Sequence, residues 1–360
     1  MFTTAIGDAA GEEAPARARA APAHLHGGET LREIELTRAE GSRLIALKEA
    51  VYGKLVDRAA FEWQYFDHPR SADFRVFVVE EGGQLIASTT RMPASIRLAG
   101  TDVPAYFNID SMVHPAHRRR GCMRDLYKYA RAAIEGDPIF FSKGSSAQIY
   151  PLLVSIGHHP VAPNTTLVSH PSAARWLLSR LHLAPTGQPK DPGVVRGFDD
   201  FLPIDRFGAD FDELFGRVSQ RLTAVFVRDA AYMNWRYVDI PHRRYFRYAK
   251  MAAGRMSGVV VASLEGSHAN IVDLLWDQAQ PGEPERTVRF VQALCDEHRA
   301  VRVTCFATHP HLREALLRAG FVDRGETPRF STFVPPPREA LFHEARSLHV
   351  VDGDGDTEFS

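Results

Sequence analysis

Cysteine is scarce in this 360-residue chain, which holds only Cys122, Cys295 and Cys305 and no CxxC pair. An odd, scattered set does not suggest a disulfide framework, and it fits a reducing compartment. An excess of either charge is also missing. The 43 Lys and Arg against 44 Asp and Glu leave a formal net charge of −1. The chain as a whole gives no electrostatic reason to bind nucleic acid or an anionic membrane, so any basic site must be local. No apolar run approaches the roughly 18–20 residues that a membrane span needs. Between Met1 and Gly28 an Ala/Pro/Gly stretch is interrupted by Asp8, Glu12, Glu13, Arg17 and Arg19, which leaves no apolar core for a secretory leader. These absences predict a soluble, cytoplasmic protein with neither a membrane nor a nucleic acid as partner.

What remains is an ordinary globular composition, 44% hydrophobic and 24% charged. The length predicts two domains of about 100–200 residues each. Residues 1–30 read as a flexible arm, and residues 335–360 as a flexible acidic tail. The tail's Asp352-Gly-Asp-Gly-Asp356 run is not a calcium loop, because Thr357 stands where that loop needs glycine.

The chain repeats itself. Trp63-Gln-Tyr65-Phe-Asp67-His-Pro69 is echoed by Trp235-Arg-Tyr237-Val-Asp239-Ile-Pro241, and Phe74-Arg75 recurs at the same offset as Phe246-Arg247. A helical stretch precedes each copy and two β-rich runs follow, separated by Gly82-Gly83 in one and Gly254 in the other. Each copy then reads strand, helix, strand, helix, glycine, ending at Gly157 and Gly320. Strands alternating with helices of 10–14 residues, after antiparallel runs, predict an α/β fold with a mixed sheet (α+β in its first strands) in each copy. The expected division is a first domain over 31–183, a linker over 184–208 and a second domain over 209–334.

One segment of the first copy carries chemistry. An apolar strand ends at Val113, and Pro115 cannot continue its ladder. Arg118, Arg119, Arg120 and Gly121 follow, then a helix with Met123, Leu126, Tyr127 and Ala130 at helical spacing. A helix N-terminus offers unpaired N–H groups and about half a positive charge, so a basic, glycine-containing loop before it suits an anion such as pyrophosphate. A solvated basic turn is the plain alternative. Neither GxxxxGK[ST] nor GxGxxG occurs, so the classical nucleotide loops are excluded.

The stretch His114-Pro-Ala-His-Arg-Arg-Arg-Gly121 resembles the acyl-CoA loop of the GNAT superfamily of N-acyltransferases, [Q/R]-x-x-G-x-[G/A] after a splayed strand. Arg118, Gly121 and Met123 fall on its pattern positions, with Met in place of a small residue. The order of elements over residues 35–170 resembles the family too, and the duplication is similar to that of tandem-GNAT enzymes. The resemblance implies acyl-CoA, acetyl-CoA in the first instance, as co-substrate and no metal. It also implies two tandem GNAT-like domains, the second degenerate. The amides of Arg118, Arg119, Arg120, Gly121, Cys122 and Met123 would hold the pyrophosphate. The backbone of Met112 and Val113 would pair with the pantetheine arm and polarise the thioester carbonyl.

Direct attack by an amine needs a base and an acid. Asp110, before the loop, is the candidate base. The family's usual acid is a Tyr four residues before the glycine that closes the fourth helix. Here that position is Leu153, and Leu316 in the second copy, so Tyr150 is the candidate acid. Cys122 is expected to pack at the helix start rather than act as nucleophile. His158 and His159 are further proton-relay candidates. In the second copy, Asp277, Glu283 and Glu285 surround Gly282 and would repel a pyrophosphate. The degenerate copy would then wall the acceptor pocket, with Asp239 or Asp273 recognising an amine. The expected function is acyl transfer to an amine of a small molecule or peptide. A non-catalytic acyl-CoA-binding protein and an aminoacyl transferase of the peptidoglycan-bridge type are the alternatives.

Overall fold

The computed structural model describes residues 19–25, 28–161, 165–181, 193–279, 282–325, 330–343 and 348–354. The first half runs through strand β1 (Thr30–Ile34), helices α1 (Arg38–Tyr52) and α2 (Arg58–Tyr65), and strands β2 (Arg75–Glu81), β3 (Gln84–Leu98) and β4 (Thr101–Val113). Helix α3 (Cys122–Ala132), strand β5 (Ile139–Ser142) and helix α4 (Tyr150–Ser155) complete it. The second half repeats the order with α5 (Ala209–Ser219), α6 (Ala230–Tyr237), β6 (Tyr245–Ala252), β7 (Arg255–Glu265), β8 (His268–Trp276), α7 (Glu283–Glu297), β9 (Arg302–Phe306) and α8 (Pro310–Arg318).

Local chemistry sets these limits. Thr37 caps α1 by accepting the Glu40 N–H, and Gly53 ends it in the left-handed conformation. Asp57 and Asp229 cap the repeated helices α2 and α6 in the same manner. Arg75 to Val79 of β2 are buried at every position, as a strand covered on both faces requires.

Each half builds a mixed sheet. Strands β1 to β4 are antiparallel neighbours in order, and β5 joins β4 in parallel. In the second half Phe201–Pro203, β6, β7 and β8 repeat the antiparallel series, and β9 joins β8 in parallel. The next strand is exchanged between the halves. Thr166–Ser169, which follows the first copy, pairs with β9, while Ser331–Phe333, which follows the second, pairs with β5. Residues 166–169 lie in sequence within the expected first domain and in space within the second sheet. The limits expected at 183 and 209 therefore divide the sequence, not the sheets.

The repeated tryptophans stand where the halves meet. The Trp63 and Trp235 rings stack at 4.7 Å, 12° from parallel. Each indole N–H donates to the other's carbonyl, at 2.8 and 2.9 Å. This reciprocal pairing is the mark of a two-fold-related contact, here between two copies in one chain.

Both expected flexible ends need correction. Ala23–His24 pairs with the start of β1, and the Tyr129 hydroxyl donates to the Ala20 and Ala21 carbonyls. Residues 1–18 of the arm lie outside the described residues. In the tail, Leu348–His349 pairs with Ala224–Phe226, and Val350, Val351 and Asp354 are buried. The physical reason is a partner that the local sequence does not show. Asp354 is one of two carboxylates on the buried Arg228 guanidinium, the other being Asp273 at 3.0 Å. Gly353 is required where it stands, since a Cβ there would lie 1.8 Å from the Tyr237 hydroxyl.

Candidate functional site

Strand β4 outlives its partner. Its pairing with β5 covers Ala105 to Phe107, and the last link is a side-chain bond, Asn108 Nδ2 to Ser142 Oγ at 2.8 Å. Beyond it β4 continues to Val113, paired to β3 alone. The His114 N–H bonds to the Ile86 carbonyl of β3 at 2.8 Å, so alternation turns the Val113 N–H and C=O to the unpaired side. Arg118 Nε donates to that carbonyl at 3.3 Å. A cleft with a free backbone edge is the result.

The loop closes above it. Pro115–His117 form one 3-10 turn, Arg119 has φ 67° and Gly121 has φ 87°. Gly121 is the N-cap of α3 and brings no side chain to the first-turn amides, which stay open to an anion. The three arginines differ. Arg118 braces Val113, whereas Arg120 Nη1 lies 3.8 Å from both Glu29 and Glu81. Among the described residues Arg119 makes no ion pair. His117 Nδ1 stands 3.4 Å from Glu81, and the one close group of His and carboxylate ligand atoms among the described residues, Glu29, Glu81 and His117, already faces Arg120. Cys122 is buried with Sγ 3.7 Å from a Glu29 oxygen. Burial first and the Glu29 charge second push its thiol pKa up, which leaves it a poor nucleophile. Met123 packs into the core beside Leu126 and Tyr127.

Asp110 stands at an irregularity. The register of β3 with β4 shifts there, and Asp110 takes φ 44°. This aims its carboxylate into a cavity of about 390 Å³ walled by α1, α2 and the end of β5. Lys48 Nζ lies 2.8 Å from one Asp110 oxygen, and the Tyr65 hydroxyl donates to the other at 2.7 Å. Ser111 in the same wall bonds to the Tyr127 hydroxyl at 2.7 Å and to Thr89 at 2.8 Å, and Arg91 donates to Thr89 at 2.7 Å. Arg91 is fully buried, with no carboxylate partner among the described residues. It rests on the Tyr127 ring at 4.7 Å, and burial pulls its pKa down to about 10. Lysine 143 completes the wall, its buried ammonium held by Asp352 at 3.0 Å.

The structure thus brings together the loop, Met112, Val113 and Asp110. Tyr150 opens α4, half-buried, and no α4 residue lines the cavity. His158 is buried, and desolvation followed by the Arg91 charge pushes its pKa down to about 3, so it is neutral near pH 7 and no relay of an imidazolium proton. His159 is exposed. Sequence reasoning missed Lys48, Tyr65, Ser111 and Lys143. Only Tyr65 carried a signal, as part of the repeated motif.

In the second half Gly282 caps α7 at φ 77°, matching Gly121, but Glu283 follows it and pairs with the buried Lys250. The matching cleft between β8 and β9 is filled. The Gly353 N–H bonds to the Val272 carbonyl at 2.7 Å, Val351 bridges Ala307, and Val350 and Thr308 exchange two bonds. The chain's own tail lies where the first half keeps a free edge. Asp273 serves Arg228 and Tyr237, and Asp239 pairs with Arg206, so both are taken by structural contacts.

Residues 33–152 match the family profile described as Acetyltransferase (GNAT) domain. The first half carries a GNAT domain. No curated protein sequence matches the chain. Among solved structures, an Enterococcus faecalis protein titled a probable N-acyltransferase is similar at TM-score 0.56 and 12% identity, covering 85% of this chain and 72% of that one. A GCN5-related N-acetyltransferase from Anabaena variabilis gives 0.57 and 13%, over 84% and 72%. The Saccharomyces cerevisiae N-myristoyltransferase with bound myristoyl-CoA gives 0.55 and 12%, over 87% and 80%. These likenesses show a shared α/β fold that extends across both halves. Among the described residues no helix is long and apolar enough to cross a membrane.

Buried histidines make the fold sensitive to acid. Burial pushes His68 and His158 down to about 3 and His309 to about 4, and puts His349 well below its ordinary value. Each stays neutral in the folded state while the unfolded chain takes up the proton, so stability is lost as pH falls below about 6.5. Urea melts at pH 7.0 and 5.5 are expected to differ by about 1 kcal/mol per histidine. Equal midpoints at the two values would contradict this.

Proposed function

We propose that this chain transfers an acyl group, acetyl in the first instance, from acyl-CoA to an amine, using the first half's loop alone. The observation that carries this reading is the unpaired edge of β4 leading to the uncapped N-terminus at Gly121, with the Asp110 cavity beside it. In this reading the amides from Arg118 to Met123 bind the pyrophosphate, with Arg119 and Arg120 adding charge. The free Val113 N–H polarises the thioester carbonyl and stabilises the oxyanion that forms on attack. Asp110 takes the proton of the attacking amine through its Lys48–Tyr65 network, and Tyr150 is the candidate donor to the departing thiolate. The GNAT domain match over the first half supports this placement.

A non-catalytic acyl-CoA-binding protein is the second reading, favoured by the absence of α4 residues from the cavity wall. Release of free CoA from acetyl-CoA, followed with a thiol reagent across an amine panel, separates the two. Amine-dependent release supports transfer, and tight binding without release supports the second reading. Replacing Arg119 and Arg120 together by alanine is expected to weaken acetyl-CoA about tenfold or more, since charge-assisted bonds are worth about 1.5–3 kcal/mol each. Unchanged affinity would displace the site from this loop.

A further inference from the structure

The cavity beside Asp110 also bears on which amine enters it. Its volume, about 390 Å³, fits one small molecule of amino-acid size and not an amino-sugar oligomer. Such sites span about 300–1,000 Å³, which puts this one near the small end. Two carboxylates and three lysines line it: Asp57, Asp110, Lys48, Lys54 and Lys143. Of the carboxylates, only Asp110 is paired with a cation among the described residues, while Asp57 at the exposed rim uses one oxygen as a helix cap. Asp57 caps α2 through the Ala59 and Ala60 amides at 2.9 and 3.3 Å, and Asp110 holds Lys48 and Tyr65. Lys143 is neutralised by Asp352, while Lys54 at the rim is exposed with no ion pair among the described residues. Beside it, Leu55 is 88% exposed and Tyr52 52%, with Val56 and Phe61 further in. Together these four side chains put an apolar surface beside Lys54 at the cavity mouth.

We infer that the acceptor is a monoamine with an apolar body and a carboxylate of its own, that is, a free amino acid with a large apolar side chain, rather than a polycation. The inference rests on the acyl-transfer reading. The carboxylate meets Lys54, the apolar side chain meets Leu55, Tyr52 and Phe61, and the amine approaches Asp110. A second or third ammonium on the acceptor would meet the Lys48 and Lys54 ammoniums, with only the helix-capping Asp57 at the rim to offset them. Lys48, paired with Asp110 at 2.8 Å, offsets the carboxylate charge that would otherwise favour the ammonium form of the amine. The amine lone pair forms the N–C bond as the thioester carbonyl becomes an oxyanion; the C–S bond breaks as the carbonyl re-forms, one amine proton passing to Asp110 and the thiolate leaving as CoA.

The test compares l-phenylalanine, l-phenylalanine amide and spermidine in two measurements. The first is acetyl-CoA-dependent CoA release. The second is direct calorimetric titration into protein saturated with CoA, which reads acceptor binding whether or not turnover occurs. The expected order is phenylalanine, then its amide about fivefold weaker for loss of one exposed ion pair. Spermidine follows about a hundredfold weaker, since like-charge contacts cost several kcal/mol. Lys54→Glu is expected to remove the preference for phenylalanine over its amide while leaving acetyl-CoA affinity unchanged. Spermidine binding as well as phenylalanine, or a Lys54→Glu chain with the preference intact, overturns the inference and leaves acyl transfer standing. Failure of acetyl-CoA to bind overturns the reading beneath it.

Discussion

An Asp110→Asn chain is expected to turn over acetyl-CoA and amine about 10²–10⁴-fold more slowly than the wild type, the range for loss of a positioned general base. The site's geometry supports a loss of this kind. Asp110 is the one carboxylate where the cavity meets the free edge of β4, and its positive φ is a conformation that a non-glycine residue adopts at a cost of about 1–3 kcal/mol. The amide keeps the shape and can still accept from Tyr65, but it holds no charge for Lys48 and takes no proton. Acetyl-CoA affinity should not change, because the residue faces the cavity and not the loop. Part of the effect will be structural, since the Lys48–Asp110 pair is mostly buried at 22% and 12% exposure. Chemical melts of the same variant separate the two effects. A fall in kcat confined to conditions where the variant is partly unfolded would remove Asp110 from the reaction.

The second large effect is on stability. Arg228→Met is expected to cost about 3–5 kcal/mol, because it leaves two buried carboxylates facing each other with no cation between them. Asp273 and Asp354 lie 3.0 and 2.6 Å from that guanidinium, and all three side chains are about 98% buried or more. Asp354 belongs to the segment that fills the second cleft, so the same pair ties the tail to the body of the second half. Arg228→Met/Asp354→Asn should therefore recover part of the loss, the signature of coupled neighbours. Urea unfolding of the two variants measures this. A loss below about 1 kcal/mol for Arg228→Met would mean that the tail is held by other contacts.

What could be read in the sequence was local. The repeat was legible because its aromatic residues recur at fixed offsets, and the loop because strand, arginines, glycine and helix are contiguous. The reciprocal Trp63–Trp235 bonds were not, since 172 residues separate the partners. The exchange of Thr166–Ser169 with Ser331–Phe333 was equally hidden. A strand of four residues has little register information of its own, and its place depends on which edge is open in the folded chain. Asp352-Gly-Asp-Gly-Asp356 reads as a solvated tail because nothing nearby in the chain can neutralise it. Arg228 and Lys143 do so, from 126 and 209 residues away. Lys48 looked like one more helical surface residue until Asp110, 62 positions on, was placed beside it. Tyr150 sits near the right point of the sequence, yet its helix stands off the cavity, and a spacing argument could not foresee that offset.

The two halves share one architecture and differ in the cleft beside the fourth strand. One keeps an open cleft, and the other is closed by the chain's own end. Calorimetric titration of acetyl-CoA into the wild type and into Gly121→Val, side by side, tests this most directly. The substitution forces a β-branched residue into φ 87° at the cap of α3 and removes the loop's geometry without touching the second half. The prediction is one acetyl-CoA per chain for the wild type and none for Gly121→Val. Two per chain in the wild type, or one still bound by the variant, would contradict it.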